Sequence, residues 1–581
     1  MGTPLLPTPM RPSRLLLPLL LPLLLAGPGA AQSPVWVTAG GAAGEQLGSA
    51  LVTTDDLDGD GLADLLAGAP RSSSAGSSSG SVLALSGASG ALIYRIDGAA
   101  PSELFGSSLA ALEDVDADGI ADWLVGIPFA SQGAARVGRA EVRSGADGSL
   151  LRTHWGLEAF GLLGDAVAAL GDLDGDGVGD YLIAAPQVDV NGMDAGQVEV
   201  RSGATGFLIR NHDGAGPGER LGSALCGLGD LDGDGRADFA LGAPGAGGGA
   251  GEVRLLSGAS GALLHTVLPD PTGGPIGDVL ASISDRTGDG RLELAVGSPG
   301  DPTGGPDAGA VLLVDTALGT VLPPGLLGAP GERLGATLLE PGDWNGDGLA
   351  DLAVRLEAGG VRIYSGAAPG TTVLGEVGPA PSSGAPGTSL AGALDLDGDG
   401  RTELVLGDPL DSLAGSAAGT VRCFSSEDLL GTPFCTGADS GASCPCGNAG
   451  AADEGCANST GAGALLAGAG TASASADDLL LLASGLLPSR PALLFAGGSS
   501  TGGTGILLGD GLRCAGAPIE RIGVRLPDAQ GEATWGPGLT QQQGWSAGQT
   551  WRFQVWYRDA SPSPCGSDFN LSAGYRVLLT P

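Results

Sequence analysis

The chain has 581 residues, with 27 Lys plus Arg against 65 Asp plus Glu and a formal net charge of −38. A field of that sign argues against nucleic acid and anionic lipid as partners. Glycine is abundant at 108 residues, yet 42% of the chain is hydrophobic, which fits a turn-rich folded protein and not a disordered one.

Residues 1–31 read as a secretory signal peptide. Arg11 and Arg14 precede an apolar run from Leu15 to Leu25, and Gly29-Ala30-Ala31 offers a small-residue cleavage site. The run is too short to span a bilayer comfortably, and no later stretch reads as a membrane helix. The expectation is a secreted or outer-surface protein without membrane insertion.

Residues 34–428 are organised by one stretch. Asp56 to Asp64 reads D-L-D-G-D-G-L-A-D, and the pattern returns at Asp114, Asp172, Asp230, Asp285, Asp343 and Asp395, roughly every 58 residues. Asp56, Asp58, Asp60 and Asp64 fill positions 1, 3, 5 and 9, and Leu62 at position 7 can offer its backbone carbonyl, which leaves its side chain free to vary. The same positions hold Asp114, Asp116, Asp118, Ile120 and Asp122, then Asp172, Asp174, Asp176, Val178 and Asp180. The fourth copy supplies Asp230, Asp232, Asp234, Arg236 and Asp238. The fifth departs, with Asp285, Thr287, Asp289, Arg291 and Glu293, and is expected to be the weakest site because a threonine replaces a carboxylate. The sixth has Asp343, Asn345, Asp347, Leu349 and Asp351, and the seventh Asp395, Asp397, Asp399, Arg401 and Glu403.

Closely spaced carboxylates in a tight loop supply the six to eight oxygens that a hard divalent cation takes at about 2.3–2.6 Å. Gly59 and Gly61 permit the sharp turn. Without an ion the carboxylates would repel one another. Ca²⁺ suits such a flexible all-oxygen loop better than Mg²⁺, which keeps its waters and demands octahedral geometry. A helix–loop–helix calcium hand is excluded, since position 12 is Ala67 and then Val125 where a bidentate glutamate would be needed.

Each repeat follows one order, shown by Phe105 to Pro128 (FGSSLAALEDVDADGIADWLVGIP). A glycine stands eight residues before the first loop aspartate at Gly48, Gly106, Gly164, Gly222 and Gly335. Short apolar runs flank the loop, and a Gly-x-Pro turn ends the second of them at Gly68, Gly126, Gly242, Gly297 and Gly407; the sixth copy lacks that turn and reads Arg355-Leu356-Glu357. A hairpin follows, such as Glu252–Leu256 and Ala262–Leu264 around Ser257–Gly261. Four short strands per unit, repeated seven times, predict an all-β, seven-bladed β-propeller whose radial closure protects the sheet edges.

The Phe-Gly, D-x-D-G-D-G-x-x-D, Gly-x-Pro unit resembles the FG-GAP repeat of the integrin α-subunit propeller over about two thirds of the chain. That resemblance implies a ring closed by the first strand near Val35–Val37 completing the last blade, structural cations on one face, and ligands gripped by loops of the opposite face. Here those would be the stretches after the Gly-x-Pro turns, Arg71–Gly80, Phe129–Gly138 and Gln187–Gly196.

Residues 433–581 form a second unit. Cys435, Cys444, Cys446, Cys456, Cys514 and Cys565 most simply make three disulfides in an exported protein, with 15 pairings open. A zinc site is the rival, disfavoured because no histidine lies near. Cys226 and Cys423 are read as buried thiols of the repeats. Trp551, Phe553, Val555 and Tyr557 alternate with Arg552, Gln554 and Trp556, which predicts a half-buried strand of a small β-sandwich-like domain. Trp535, Trp545, Trp551 and Trp556 are read as core and turn packing ahead of a sugar-stacking platform.

Enzyme chemistry finds little support. His154, His212 and His265 lie at the ends of hairpin strands of different repeats without motif partners, and Gly76-Ser77-Ser78-Ser79-Gly80 lacks the strand–helix setting of a nucleophile elbow. With no enzyme reading supported, the integrin resemblance implies a non-enzymatic adhesion or ligand-binding module for a protein, cell-surface or glycan ligand. The alternative is a polysaccharide-binding or polysaccharide-degrading protein.

Overall fold

In the computed structural model, residues 34–579 are described except for 134, 345–348, 357–359, 367–372, 378–388, 393, 399–401, 426–431, 435–443, 451–454, 470–476, 478, 501–504, 547–548 and 560–562. The signal-peptide reading, Asn345, Asp347, Asp399, Arg401 and Cys435 thus lie outside the described residues.

The repeats fold into seven antiparallel four-stranded sheets. In the first sheet, Ala50–Thr54 leads into the aspartate loop, Asp64–Ala69 leaves it, and Ser81–Leu85 with Leu92–Asp97 form the hairpin. The second sheet repeats the order with Ser108–Ala111, Trp123–Ile127, Arg139–Arg143 and Leu150–Trp155. The aspartate loop and the hairpin turn thus share one end of these sheets. The turn after the second strand and the link to the next sheet share the other.

The second strand of each sheet is buried on both faces, and its residues alternate between two cores. Tyr181, Ile183 and Ala185 pack toward the second sheet, while Leu182 and Ala184 pack toward the fourth. Seven such apolar clusters fill seven sheet-to-sheet interfaces, the seventh joining Leu396, Val405 and Val421 to Leu51, Leu65 and Leu83. The leading strands touch in the same cycle, with Leu390–Gly392 of the last sheet against Ala50–Thr54 of the first.

Glycines fix how closely the sheets approach. A Cβ on Gly126 would lie 1.9 Å from the carbonyl oxygen of Gly164, so the Gly-x-Pro glycine of one repeat and the Phe-Gly glycine of the next need each other. The same contact recurs between Gly407 and the Gly48 oxygen, where the cycle closes. Gly277, preceded by Ile276, plays this part in the fifth repeat with φ +104°, a copy that the Leu/Phe-Gly pattern misses.

The last sheet takes its outer strand from the start of the chain, as expected. Trp36–Ala39 pairs antiparallel with Thr420–Ser425, placing Trp36 opposite Cys423. Trp36 Nε1 then donates to the Gly87 carbonyl at 2.7 Å and Thr38 Oγ1 to that of Gly90 at 2.6 Å, both in the first sheet's hairpin turn. Tyr94 Oη makes the equivalent bond to Gly145 at 2.9 Å, and Arg152 makes it to Gly203 and Ala204.

Residues beyond 432 build one sheet in the order Thr432–Phe434, Gly574–Leu578, Thr550–Arg558, Ala492–Ser500 and Ala515–Arg525, with Phe569–Leu571 beside Thr550–Arg558. A three-stranded sheet holds Leu465–Ala469, Leu480–Ser484 and Ala533–Trp535. Their shared core contains Leu466, Leu481, Leu494, Trp535, Trp545, Trp551, Phe553 and Tyr557. Trp535, Trp545 and Trp551 are buried, and Trp545 stacks on Trp551, so these rings are core. The alternation holds except at Gln554, which is buried and donates to the carbonyls of Leu512 and Ser572. Disulfides join Cys444 to Cys456 and Cys446 to Cys565, and Cys514 is disulfide-bonded as well. Cys226 and Cys423 are buried thiols. Among the described residues, no helix is long and apolar enough to cross a membrane.

Candidate metal loops

The first loop shows how the carboxylates are held. Asp56 accepts the N–H of Gly59 at 2.6 Å and of Asp60 at 3.2 Å on one oxygen, and of Gly61 at 2.8 Å on the other. Asp58 accepts the N–H of Asp60, and Asp60 that of Leu62. Gly59 and Gly61 stand at φ +85° and +89°, the left-handed turn that curls the backbone around the first aspartate. The loop N–H groups, that of Gly61 foremost, hold the Asp56 carboxyl below the usual range, and the same cradle lowers Asp114, Asp230 and Asp285.

Position 9 differs. Asp64 is fully buried and accepts the Leu57 N–H at 2.7 Å and the Gly87 N–H at 3.0 Å. Asp122, Asp180, Asp238 and Asp351 repeat both bonds, to Val115 and Gly145, Leu173 and Gly203, Leu231 and Gly258, and Trp344 and Gly366. This carboxylate therefore ties its loop to its sheet's hairpin. Burial pushes the Asp122 carboxyl up to about 6 and raises Asp64, Asp180 and Asp238 as well.

The partnership was visible in sequence as the Ser-Gly at 86–87, 144–145, 202–203, 257–258 and 365–366. A Cβ on Gly87 would fall 2.0 Å from the Ala63 carbonyl oxygen, so the turn glycine is required wherever position 9 is aspartate. The fifth copy, with glutamate at position 9, carries Thr316 at the turn instead. Glu293 bonds the N–H of Arg286 and Thr287, while Thr316 Oγ1 donates to the Leu292 carbonyl. The longer acid and the bulkier turn residue thus go together.

The structure brings together the oxygens of Asp56, Asp58 and Asp64, of Asp114, Asp116 and Asp122, and of Asp172, Asp174 and Asp180, each set within 4.8 Å. In the fourth loop Asp230, Asp232 and Asp234 converge, and in the fifth Asp285, Asp289 and Glu293 do so despite Thr287. Three or more carboxylate oxygens at that spacing form a donor set that a hard divalent cation fits, and nothing softer than oxygen contributes. Asp60, Asp118 and Asp176, outside those sets, cap the N–H two residues on. Asp343, Asp351, Asp395 and Asp397 bound the described parts of the last two loops. At position 7 the side chains vary from copy to copy and make contacts of their own. Arg236 reaches the preceding loop, Leu62 lies over Gly398, and Val178 and Ile120 pack on Gly203 and Gly145 of their own hairpins.

The histidines serve packing. His154 Nε2 is 2.8 Å from Tyr181 Oη, His212 meets the Phe239 ring edge-on, and His265 Nε2 is 3.1 Å from the Ala317 carbonyl oxygen.

Comparison with known proteins agrees with this layout. FG-GAP repeats are matched at residues 47–85 and 221–256, and an FG-GAP-like repeat at 343–406. The chain is 32% identical over 219 residues to integrin alpha-PS2 of Drosophila melanogaster, covering 34% of this chain and 15% of that one. It is 37% identical over 171 residues to human integrin alpha-IIb, covering 26% and 16%, and 32% identical over 142 residues to integrin alpha-V of Gallus gallus, covering 23% and 13%. The chain is thus an FG-GAP repeat protein with integrin α subunits as homologues, and it spans less than a fifth of the length of these relatives. The solved structure of Saccharomyces cerevisiae Sqt1 aligns over 68% of this chain and 99% of its own at 13% identity, with a TM-score of 0.41.

Proposed function

We propose that residues 34–428 form a seven-bladed β-propeller, held by Ca²⁺ in its seven aspartate loops, that acts outside the cell as an adhesion or ligand-binding module. The residues concerned are those at positions 1, 3, 5, 7 and 9 of each loop, position 7 through its carbonyl. The observation that carries the reading is the closed cycle of sheets with every aspartate loop at the same end. The cations then stiffen one rim and leave the other for a partner.

That other rim carries exposed apolar side chains where a ligand face is expected. Leu157 is 98% exposed, Met193 71% and Phe160 63%. Leu157 borders a cavity of about 210 Å³ together with Glu158, Val188, Val190 and Glu199. Apolar groups left in water beside a cavity mark an interaction surface. Two stretches singled out in the sequence, Phe129–Gly138 and Gln187–Gly196, meet there.

Thermal unfolding of the chain in ~1 mM Ca²⁺ and in excess chelator tests the cation reading. With a dissociation constant on the order of 10⁻⁴ M, each site stabilises by about 1.4 kcal/mol, or roughly 8–10 kcal/mol for six or seven sites as an upper figure. An unchanged melting temperature would sink it. A glycan array run beside reducing-sugar release on mixed polysaccharides tests the binding role, and product release would count against a module that only binds.

A further inference from the structure

Arg236 stands at position 7 of the fourth loop, but its guanidinium lies over the third. Its Nη1 is 3.2 Å from Asp172 Oδ2 and 3.1 Å from the Asp172 carbonyl oxygen. A Cβ on Gly175 would come within 2.3 Å of its Nη2, so the third loop's own glycine makes room for the arginine. Asp172 is the first residue of that loop, and its carboxylate belongs to the converging set of Asp172, Asp174 and Asp180. The first and second loops have no such neighbour. The position-7 residues beside them are Ile120 and Val178, which pack on their own hairpins.

We infer that Arg236 is a built-in counter-ion that competes with a divalent cation for Asp172 and makes the third loop, whose sequence matches the pattern at every position, fill after the first and second. This rests on the cation reading of the loops. A fixed positive charge at 3.2 Å from one carboxylate oxygen occupies part of the donor set and repels an incoming dication. The pair is partly exposed, with side chains 33% and 27% accessible, so the effect is that of a solvated ion pair. The same bond gives the third loop a charge partner when cation is scarce and ties it to the fourth sheet. Position 7 therefore sets the affinity of the loop before it, a role separate from the carbonyl it offers to its own loop.

The test is a Ca²⁺ titration of the full chain against a chromophoric chelator, with wild type, Arg236→Leu and Arg236→Lys. Leucine is chosen because Leu62 occupies this position in the first loop. The expected result is that Arg236→Leu tightens one site by about two- to fivefold, the range an exposed ion pair allows. Arg236→Lys should restore most of the weaker binding, because the charge returns without the guanidinium fork. In an Arg236→Leu, Asp172→Asn double variant the tightened site should be lost. Full stoichiometry with no site altered by Arg236→Leu overturns the inference and leaves the cation reading standing. A wild type that takes up no Ca²⁺ overturns the cation reading, and this inference with it.

Discussion

The repeats and the residues beyond 432 solve the same problem with different staples. Both are built from short strands, rich in glycine and poor in aromatic side chains outside the C-terminal core. The repeats close on themselves through Trp36–Ala39 and the Gly407–Gly48 contact, and the five loops with aspartate at position 9 are tied to their hairpins by that buried carboxylate. Among its described residues the C-terminal unit shows no such cycle, and it is cross-linked by Cys444–Cys456 and Cys446–Cys565, the latter joining points 119 residues apart. One region is stabilised by closure and charge, the other by covalent restriction of the unfolded chain.

The comparison breaks first under opposite reagents. Chelator is expected to lower the melting of the repeats by many degrees and leave the C-terminal unit nearly unmoved, whereas reductant should do the reverse. Removing a native disulfide from a small domain costs about 2–5 kcal/mol. Calorimetry with each reagent separately checks this, and a single transition that responds equally to both would contradict two independently held regions.

The closure itself is the next target. In Gly407→Ala the new Cβ would meet the Gly48 carbonyl oxygen at 2.2 Å and Ser389 Oγ at 2.7 Å, backbone and side chain of the first and last sheets. Overpacking of this kind costs about 1–3 kcal/mol, read as a shift in the denaturant midpoint. Alanine at Gly331, where φ is +84° but nothing lies within 4 Å, is the control that carries backbone strain without the clash.

A smaller effect separates the two kinds of loop carboxylate. Asp122→Asn keeps one acceptor oxygen but turns the other into a donor facing the N–H of Val115 or Gly145. It should destabilise the chain by about 1–3 kcal/mol even in chelator, the cost of an unsatisfied buried donor. Asp118→Asn, in the exposed part of the same loop, should matter only when Ca²⁺ is present. Equal behaviour of the two variants in chelator would remove the distinction between position 9 and the rest.

Much of the layout was legible because it is periodic. The loop carboxylates, the paired glycines and the strand order recur, and the outer strand at Trp36–Ala39 was expected from the resemblance to a family of closed rings. Contacts between repeats were less legible. Position 9 looked like one more ligand, and only the turn glycine 23 residues on hints that Asp64 has a second partner. Arg236 was invisible because its neighbour belongs to the preceding repeat. Asn458-Ser459-Thr460 and Asn570-Leu571-Ser572 match the N-glycosylation pattern. Both side chains are buried, and their amides donate to the carbonyls of Gly485 and Cys456 at 2.9 Å, so a glycan would have to displace core hydrogen bonds.

The histidines give the smallest test and the one most specific to the sheet interfaces. Burial lowers the His154 imidazole to about 3 and the His212 imidazole to about 4, from an unfolded value near 6.5. Both rings are neutral in the fold, where each sits under the next sheet's hairpin. As pH falls below about 6.5 the unfolded chain binds protons that the folded chain refuses, so stability present above that pH is lost progressively toward the folded values. The carboxylates raised by burial act in the opposite sense over part of this window, since protonating Asp122 relieves a desolvated charge. The histidine contribution must therefore be read as a difference between variants. His154→Gln can keep a polar contact to the Tyr181 hydroxyl without titrating. Its stability relative to wild type should rise as pH is lowered from 7 to 5, and a pH-independent difference would show that His154 does not couple the interface to protons.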